Sequence, residues 1–219
     1  MVLNPETFVC LASDEAWLSH RTKVVTGSEV AVLLGLSPWR TVEQLKANWG
    51  KEEQLKDTAN MWWGREMELP NQQAYSKLLG APVVPHNGFY VRGPIGATTD
   101  AFIPAGSLLE ALEAHRGYIG TSAATYWRRH VDILSSQDSS KPILVEMKNV
   151  GDRYKKEWAT APAYYEAQVQ AQLYATGLDA GVLVAKLGAA DIRAHVVLRD
   201  DFMLDEMVEK AQAFLKEMG

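Results

Sequence analysis

From Ile143 to Asn149 the chain reads Ile-Leu-Val-Glu-Met-Lys-Asn, an apolar run broken at alternate positions by Glu146 and Lys148. Successive strand side chains point to opposite faces, so Val145 and Met147 turn to a core while Glu146 and Lys148 share the other face. A second apolar run, Ile95 to Ile103, carries Asp100 near its end and predicts a strand over about Ala97 to Ile103. Further strands are expected at Pro82 to His86, Gly88 to Val91, Ala180 to Ala185 and Ile192 to Leu198. Helical patterning covers Asp14 to His20, a short helix with Ser28 as its cap and Gly35 as its stop, and Thr41 to Trp49, which opens with capping-box spacing. Thr58 to Leu79 predicts a longer helix that Pro70 should kink or restart. Ala163 to Ala175 and the amphipathic Asp201 to Met218 complete the set. Between Ile103 and Ile143 lies an insert at about 106–140, with helical patches at Ser107 to His115 and Tyr126 to Leu134 and a polar linker, Ser135 to Ser140. The order of elements predicts an α/β chain with a central mixed sheet flanked by helices.

Composition changes this picture little. A chain of 219 residues, 47% apolar, can bury one sizeable core, so a single domain over 1–219 is expected. One cysteine, Cys10, rules out an intramolecular disulfide framework and a four-cysteine iron–sulfur cluster. It points to a reducing compartment. No run approaches the ~20 apolar residues of a membrane span and the start has no basic segment before its short apolar stretch, so a cytoplasmic protein with no membrane partner is expected.

Charge bears on function. The net charge of −5 argues against a uniformly basic nucleic-acid surface, leaving local clusters such as Arg128-Arg129, Arg153 and Lys155-Lys156 to supply positive potential. The five histidines, His20, His86, His115, His130 and His195, show no pair at zinc spacing. Phosphate-loop, dinucleotide, serine-hydrolase and HExxH patterns are absent. What remains is Asp100 with Glu146-Met147-Lys148. If their strands pair, two carboxylates and an ammonium converge, a donor set suited to Mg²⁺ or Mn²⁺. Two such ions can activate water and neutralise charge developing on a phosphodiester, with Lys148 orienting or deprotonating the water. A Glu-x-Lys pair can also be no more than a salt bridge on a strand face.

Several further motifs stand in order along the chain: Trp17 with Arg21, Thr26-Gly27-Ser28-Glu29-Val30, Trp63-Gly64-Arg65-Glu66-Met67-Glu68, Ala97-Thr98-Thr99-Asp100, Val145-Glu146-Met147-Lys148 and Gln168-Val169-Gln170-Ala171-Gln172-Leu173-Tyr174. Together they resemble the lambda exonuclease/YqaJ viral recombinase family, over about Trp17 to Leu198. The resemblance implies a restriction-endonuclease-like PD-(D/E)XK core. It implies a Mg²⁺-dependent 5′-to-3′ exonuclease, with two ions per site, that digests one strand of linear double-stranded DNA to mononucleotides. On the matching positions, Asp100, Glu146, the Met147 backbone carbonyl and Glu68 are the implied metal ligands, with Glu66 competing for the register of Glu68. Lys148 is the implied catalytic lysine. Arg21, Ser28 and Arg153 are the implied 5′-phosphate residues, and Gln168 and Gln170 the implied DNA contacts. The resemblance further implies a homotrimeric ring around DNA ends and a single-strand annealing protein as partner.

Among the tryptophans, Trp39 in Leu36-Ser37-Pro38-Trp39-Arg40 and Trp127 beside Arg128-Arg129 are candidates for an apolar wedge between strands. Two other functions fit the same residues. An endonuclease of this fold would cut closed circles, and a DNA-end-binding scaffold would cut nothing.

Overall fold

The computed structural model describes residues 8–9, 19–51, 59–107, 130, 132–134, 136–188 and 191–219. Its strands are β1 (Phe8–Val9), β2 (Val25–Thr26), β3 (Val84–Arg92), β4 (Ile95–Ile103), β5 (Ile143–Val150), β6 (Ala180–Leu187) and β7 (Asp191–Leu198). They form one mixed sheet in the order β1-β3-β4-β5-β6-β7, with β2 parallel to β4 outside that path. The β5–β6 pair is parallel, and the others on the path are antiparallel. The helices are α1 (Gly27–Leu33), α2 (Val42–Asn48), α3 (Ala59–Leu79), α4 (Ala163–Thr176) and α5 (Asp201–Met218), with two 3₁₀ turns at Asp152–Tyr154 and Glu157–Ala159. The α/β expectation holds. None of the described helices is long and apolar enough to cross a membrane.

The alternation in β5 divides the core. Ile143, Val145 and Met147 pack with Tyr75 and Leu79 of α3 on one face of the sheet. Leu144 packs on the other face with Phe102, Trp158 and, from α4, Val169 and Leu173. Glu146 and Lys148, in phase with Leu144, therefore lie on the α4 face. Asp100 lies there too, in phase with Phe102. A third cluster joins α1, α2 and α5 to Ala167 and Ala171 of α4, so α4 is braced on both flanks. Gly177 ends it in the left-handed conformation (φ 73°), where its amide donates to the Leu173 carbonyl.

Three expectations need correction. The two short strands predicted over 82–91 are one, β3, with an irregularity between Pro85 and Gly88. Pro70 does not restart α3, which runs through it to Leu79. Pro70 and Glu66 both face solvent, so the Glu66 carbonyl that loses its helical donor can bond water. The cap of α1 is Thr26, not Ser28: Glu29 accepts from the Thr26 amide at 2.9 Å and from its hydroxyl at 2.8 Å. The expected pairing of the Asp100 and Glu146 strands holds across the insert, since Ala101, Phe102 and Ile103 pair with Val145, Leu144 and Ile143.

Ser19–Arg21 and, in the insert, His130 and Asp132–Leu134 are helical. The rest of the predicted Asp14 helix, most of the insert, and Cys10, Trp17, His115, Trp127, Arg128 and Arg129 lie outside the described residues.

Candidate active site

The β4–β5 ladder ends at Ala101–Val145, one residue short of Asp100 and Glu146. There the Asp100 side chain takes over from backbone pairing, and its Oδ2 accepts from the Met147 amide at 2.8 Å. The two strands thus hold the acids at the floor of a cleft of about 530 Å³, lined also by Glu68, Asn71, Lys148, Asn149, Tyr165 and Gln168.

Glu146 is 2% exposed, and a carboxylate buried to that degree requires partners. It has three. Lys148 Nζ donates to Oε1, Gln168 Nε2 donates to Oε1 at 2.7 Å, and Gln172 Nε2 donates to Oε2 at 2.5 Å. Gln172 also donates to the Thr98 carbonyl at 2.8 Å, tying α4 to β4 behind the acid. The Lys148 ammonium lies 4.8 Å from the centre of the Tyr165 ring. Glu68 reaches the cleft from α3, where Gln72 Nε2 donates to Glu68 at 3.3 Å and to the Asp100 carbonyl at 3.2 Å. Glu66, its competitor in register, is exposed and does not line the cleft.

Burial, and then the charge of Glu146, push the Asp100 carboxyl well above its ordinary pKa; Lys148 and the Met147 amide only partly oppose this. The same two causes raise Glu68, against the Gln72 hydrogen bond. Burial opposes charge on Lys148, yet Glu146 and Asp100 hold its pKa above the usual lysine value. Three carboxylates, Asp100, Glu146 and Glu68, face Lys148 and Arg65 in this cleft.

No three His, Cys, Asp or Glu side chains among the described residues stand together as a ready metal cage. The donor chemistry nevertheless fits a hard divalent cation. Carboxylates crowded against one another in a partly buried cleft carry an excess of negative charge, which such an ion relieves. Asp100, Glu146 and Glu68 are the carboxylates that would hold it.

A smaller cavity of about 110 Å³ lies on the other side of Gln168, lined by Arg21, Thr26, Gly27, Ser28, Thr98 and Gln172 among others. The structure thus brings Arg21 and Ser28 together, and Gln168 joins their pocket to the acidic cleft. Ser28 is exposed at this pocket, its hydroxyl 3.3 Å from that of Thr26. Arg153 is elsewhere: it lines a third cleft with its guanidinium 4.7 Å over the Tyr154 ring.

Gln170 is a correction. It is buried, donates to the Leu198 carbonyl at 2.7 Å and accepts from the Asp200 amide at 3.1 Å, bracing the junction of β7 and α5. Residues two apart on a helix do not share a face, so Gln170 turns away when Gln168 faces the acids. The residue that sequence reasoning passed over is Gln172. Its signal was present, four positions from Gln168. Tyr174 packs beside Arg92, whose guanidinium lies 5.0 Å over the ring.

The family model of the YqaJ-like viral recombinase domain matches residues 16–179. Among solved structures, the fold is similar to an alkaline exonuclease from Laribacter hongkongensis, at 18% identity, TM-score 0.62, covering 93% of this chain and 92% of that one. The complex of that enzyme with dAMP aligns with a TM-score of 0.63 at the same identity and coverage. A phage-related exonuclease from Haemophilus somnus 129PT aligns at 12% identity, TM-score 0.58, over 92% and 96% of the two chains. No curated protein sequence matches the chain.

Proposed function

The chain belongs to the YqaJ-like viral recombinase family, and from that premise we propose that it is a Mg²⁺-dependent 5′-to-3′ exonuclease acting on ends of linear double-stranded DNA. The observation that carries this reading is one arrangement: Asp100 and Glu146 at the point where β4 and β5 part, with Gln168 linking their cleft to the small Arg21–Ser28 pocket. The similar folds that are named exonucleases support it.

Asp100, Glu146, Glu68 and the Met147 carbonyl would hold the divalent ions, which when bound supply water activation and neutralisation of phosphate charge. Lys148, kept as an ammonium by its neighbours, donates a hydrogen bond that orients the water or steadies the departing oxygen. Arg21 offers a guanidinium fork and Ser28 a hydroxyl to a terminal 5′-phosphate. A phosphate held there lies across Gln168 from the acids, which fixes a short distance between chain end and scissile bond. That geometry favours removal of single nucleotides. The surviving 3′ strand would pass to a single-strand annealing protein, and three copies of the chain would close a ring around the duplex.

The test is Mg²⁺-dependent digestion of a linear duplex with and without 5′-phosphates, beside a closed circle and the Lys148→Ala protein. Expected is loss of linear DNA alone, faster with the phosphate and at least 100-fold slower in Lys148→Ala, on the order of the effect of deleting one transition-state donor. Cleavage of the circle would make the protein an endonuclease. Digestion of neither, with DNA ends still bound, would make it a scaffold.

A further inference from the structure

Beside the acidic cleft lies a larger one of about 850 Å³, and the two share Asn149 and Tyr165. That volume is within the ~300–1,000 Å³ usual for small-ligand sites. Its wall is aromatic and comes from separate parts of the chain: Trp39 after α1, Trp63 near the start of α3, Tyr154 in the first 3₁₀ turn, and Tyr164 and Tyr165 on α4. Trp39 is 65% exposed and Trp63 50%. Two indoles thus face one cavity with much of their surface still open to solvent. Trp39 meets Tyr164 at 4.5 Å, which places it on α4 without burying it.

Arg153 stands in the same cleft over Tyr154. Gly188, in the left-handed region (φ +59°), lines the cleft too, and a Cβ there would meet the Asp152 carboxylate. Asp152 and Glu157 also line the cleft. The aromatic wall suits an uncharged ring, and Arg153, the cation among the described lining residues, is the group that an attached phosphate would meet, against the repulsion of the flanking Asp152 and Glu157.

We propose that this cleft binds one unpaired nucleobase of the DNA strand, stacked on the wall of Trp39, Trp63 and Tyr164, with Arg153 at that nucleotide's phosphate. The base is unpaired because in a duplex both of its faces are covered by neighbouring bases; outside the stack its face is free for an aromatic ring. Continuity through Tyr165 and Asn149 places this nucleotide next to the acids, so bases must leave the duplex before their phosphates are cut. Stacking makes the site tolerant of sequence, as a resecting enzyme requires.

The inference rests on the nuclease reading for the identity of the strand, and its test is separate from cleavage. In EDTA, anisotropy of a labelled oligothymidylate is compared with that of an abasic strand of the same length, for the wild-type protein and for Trp39→Ala and Trp63→Ala. Both side chains are exposed, and matching thermal unfolding of the variants confirms their folding. Expected is a preference of the wild type for the base-bearing strand of about five-fold or more, falling to near unity in at least one variant. Equal affinity of the wild type for both strands overturns the proposal. So does a preference that survives in both variants, or binding of an aromatic-rich peptide in place of the oligonucleotide. A base-dependent preference in a protein that digests no DNA would instead sink the exonuclease reading and leave the base site standing.

Discussion

At the scale of single residues the site is an exercise in holding unwanted charge. The folded pKa of Asp100 lies above its unfolded value, chiefly through burial and the charge of Glu146. The metal-free fold therefore binds the Asp100 proton more tightly than the unfolded chain does. The contribution of this group to stability is greatest below the unfolded carboxyl pKa, near ~4, and is lost as pH rises through the folded value. At neutral pH it is a cost. Asp100→Asn, which keeps an oxygen able to accept from the Met147 amide, should thus raise the melting temperature in EDTA while abolishing Mg²⁺-dependent cleavage, by about 2–4 °C for each kcal/mol relieved in a chain of this size. A lower melting temperature at pH 7 would show that the acid is not strained. Gln172 presents the complementary case. Both of its N–H donors are used on Glu146 and Thr98, and its buried Oε1 has no hydrogen-bond partner. Gln172→Met, similar in length but unable to donate, should cut kcat by roughly ten-fold, the value of a hydrogen bond to a charged group, with KM for DNA ends little changed. An unaltered kcat would reduce Gln172 to packing. Asp100, Glu146 and Lys148 were legible because a period of two places charged groups on one strand face. Gln172 was not, because choosing between Gln168/Gln172 and Gln170/Tyr174 as the inward face needs the rotation of α4, which packing fixes.

Among elements, the telling feature is where β4 and β5 stop pairing. The ladder closes three pairs and parts at Asp100 and Glu146, so the sheet supplies both the rigidity behind the acids and the opening in front of them. Helix α4 provides the opposite wall, steadied by apolar contacts on two flanks. Short α1 is held by the Thr26–Glu29 capping box, and the Thr26 hydroxyl, 3.3 Å from that of Ser28, links this cap to the Arg21 pocket. Thr26→Ala should destabilise the protein by about 1 kcal/mol in urea unfolding. It should also weaken the preference for 5′-phosphorylated ends; a full preference in the variant would detach the cap from the pocket. Sequence pattern found the five helices and the strands from β3 to β7, though not the two-residue β1 and β2 or the 3₁₀ turns, since amphipathic periods and glycine stops are local. Of the kink or restart expected at Pro70, the restart does not occur, because the cost of a missing amide depends on whether water reaches the orphaned carbonyl, and exposure is not local. Sequence pattern set Ser28 as the cap for want of backbone angles, which show the extended residue to be Thr26 (φ −80°, ψ 160°).

For the whole molecule, a net charge of −5 and a DNA substrate are compatible if binding draws on few phosphate contacts and on enclosure. A closed ring would supply the enclosure. Light scattering should then give a mass near three times the 24.3 kDa of the chain, and a monomer at working concentration would remove topological trapping from the mechanism. The sequence by itself determined the chemistry: which residues are acids, which cation lies two positions on, and the strand and helix periods that turn them inward. Those are properties of neighbours along the chain. Only the tertiary structure decided that Asp100 and Glu146 meet across the long insert, that Arg21 and Ser28 share a pocket which Gln168 opens toward them, and that Arg153 does not join it. Convergence of segments far apart in sequence is set by sheet register and helix packing, and no local pattern encodes either.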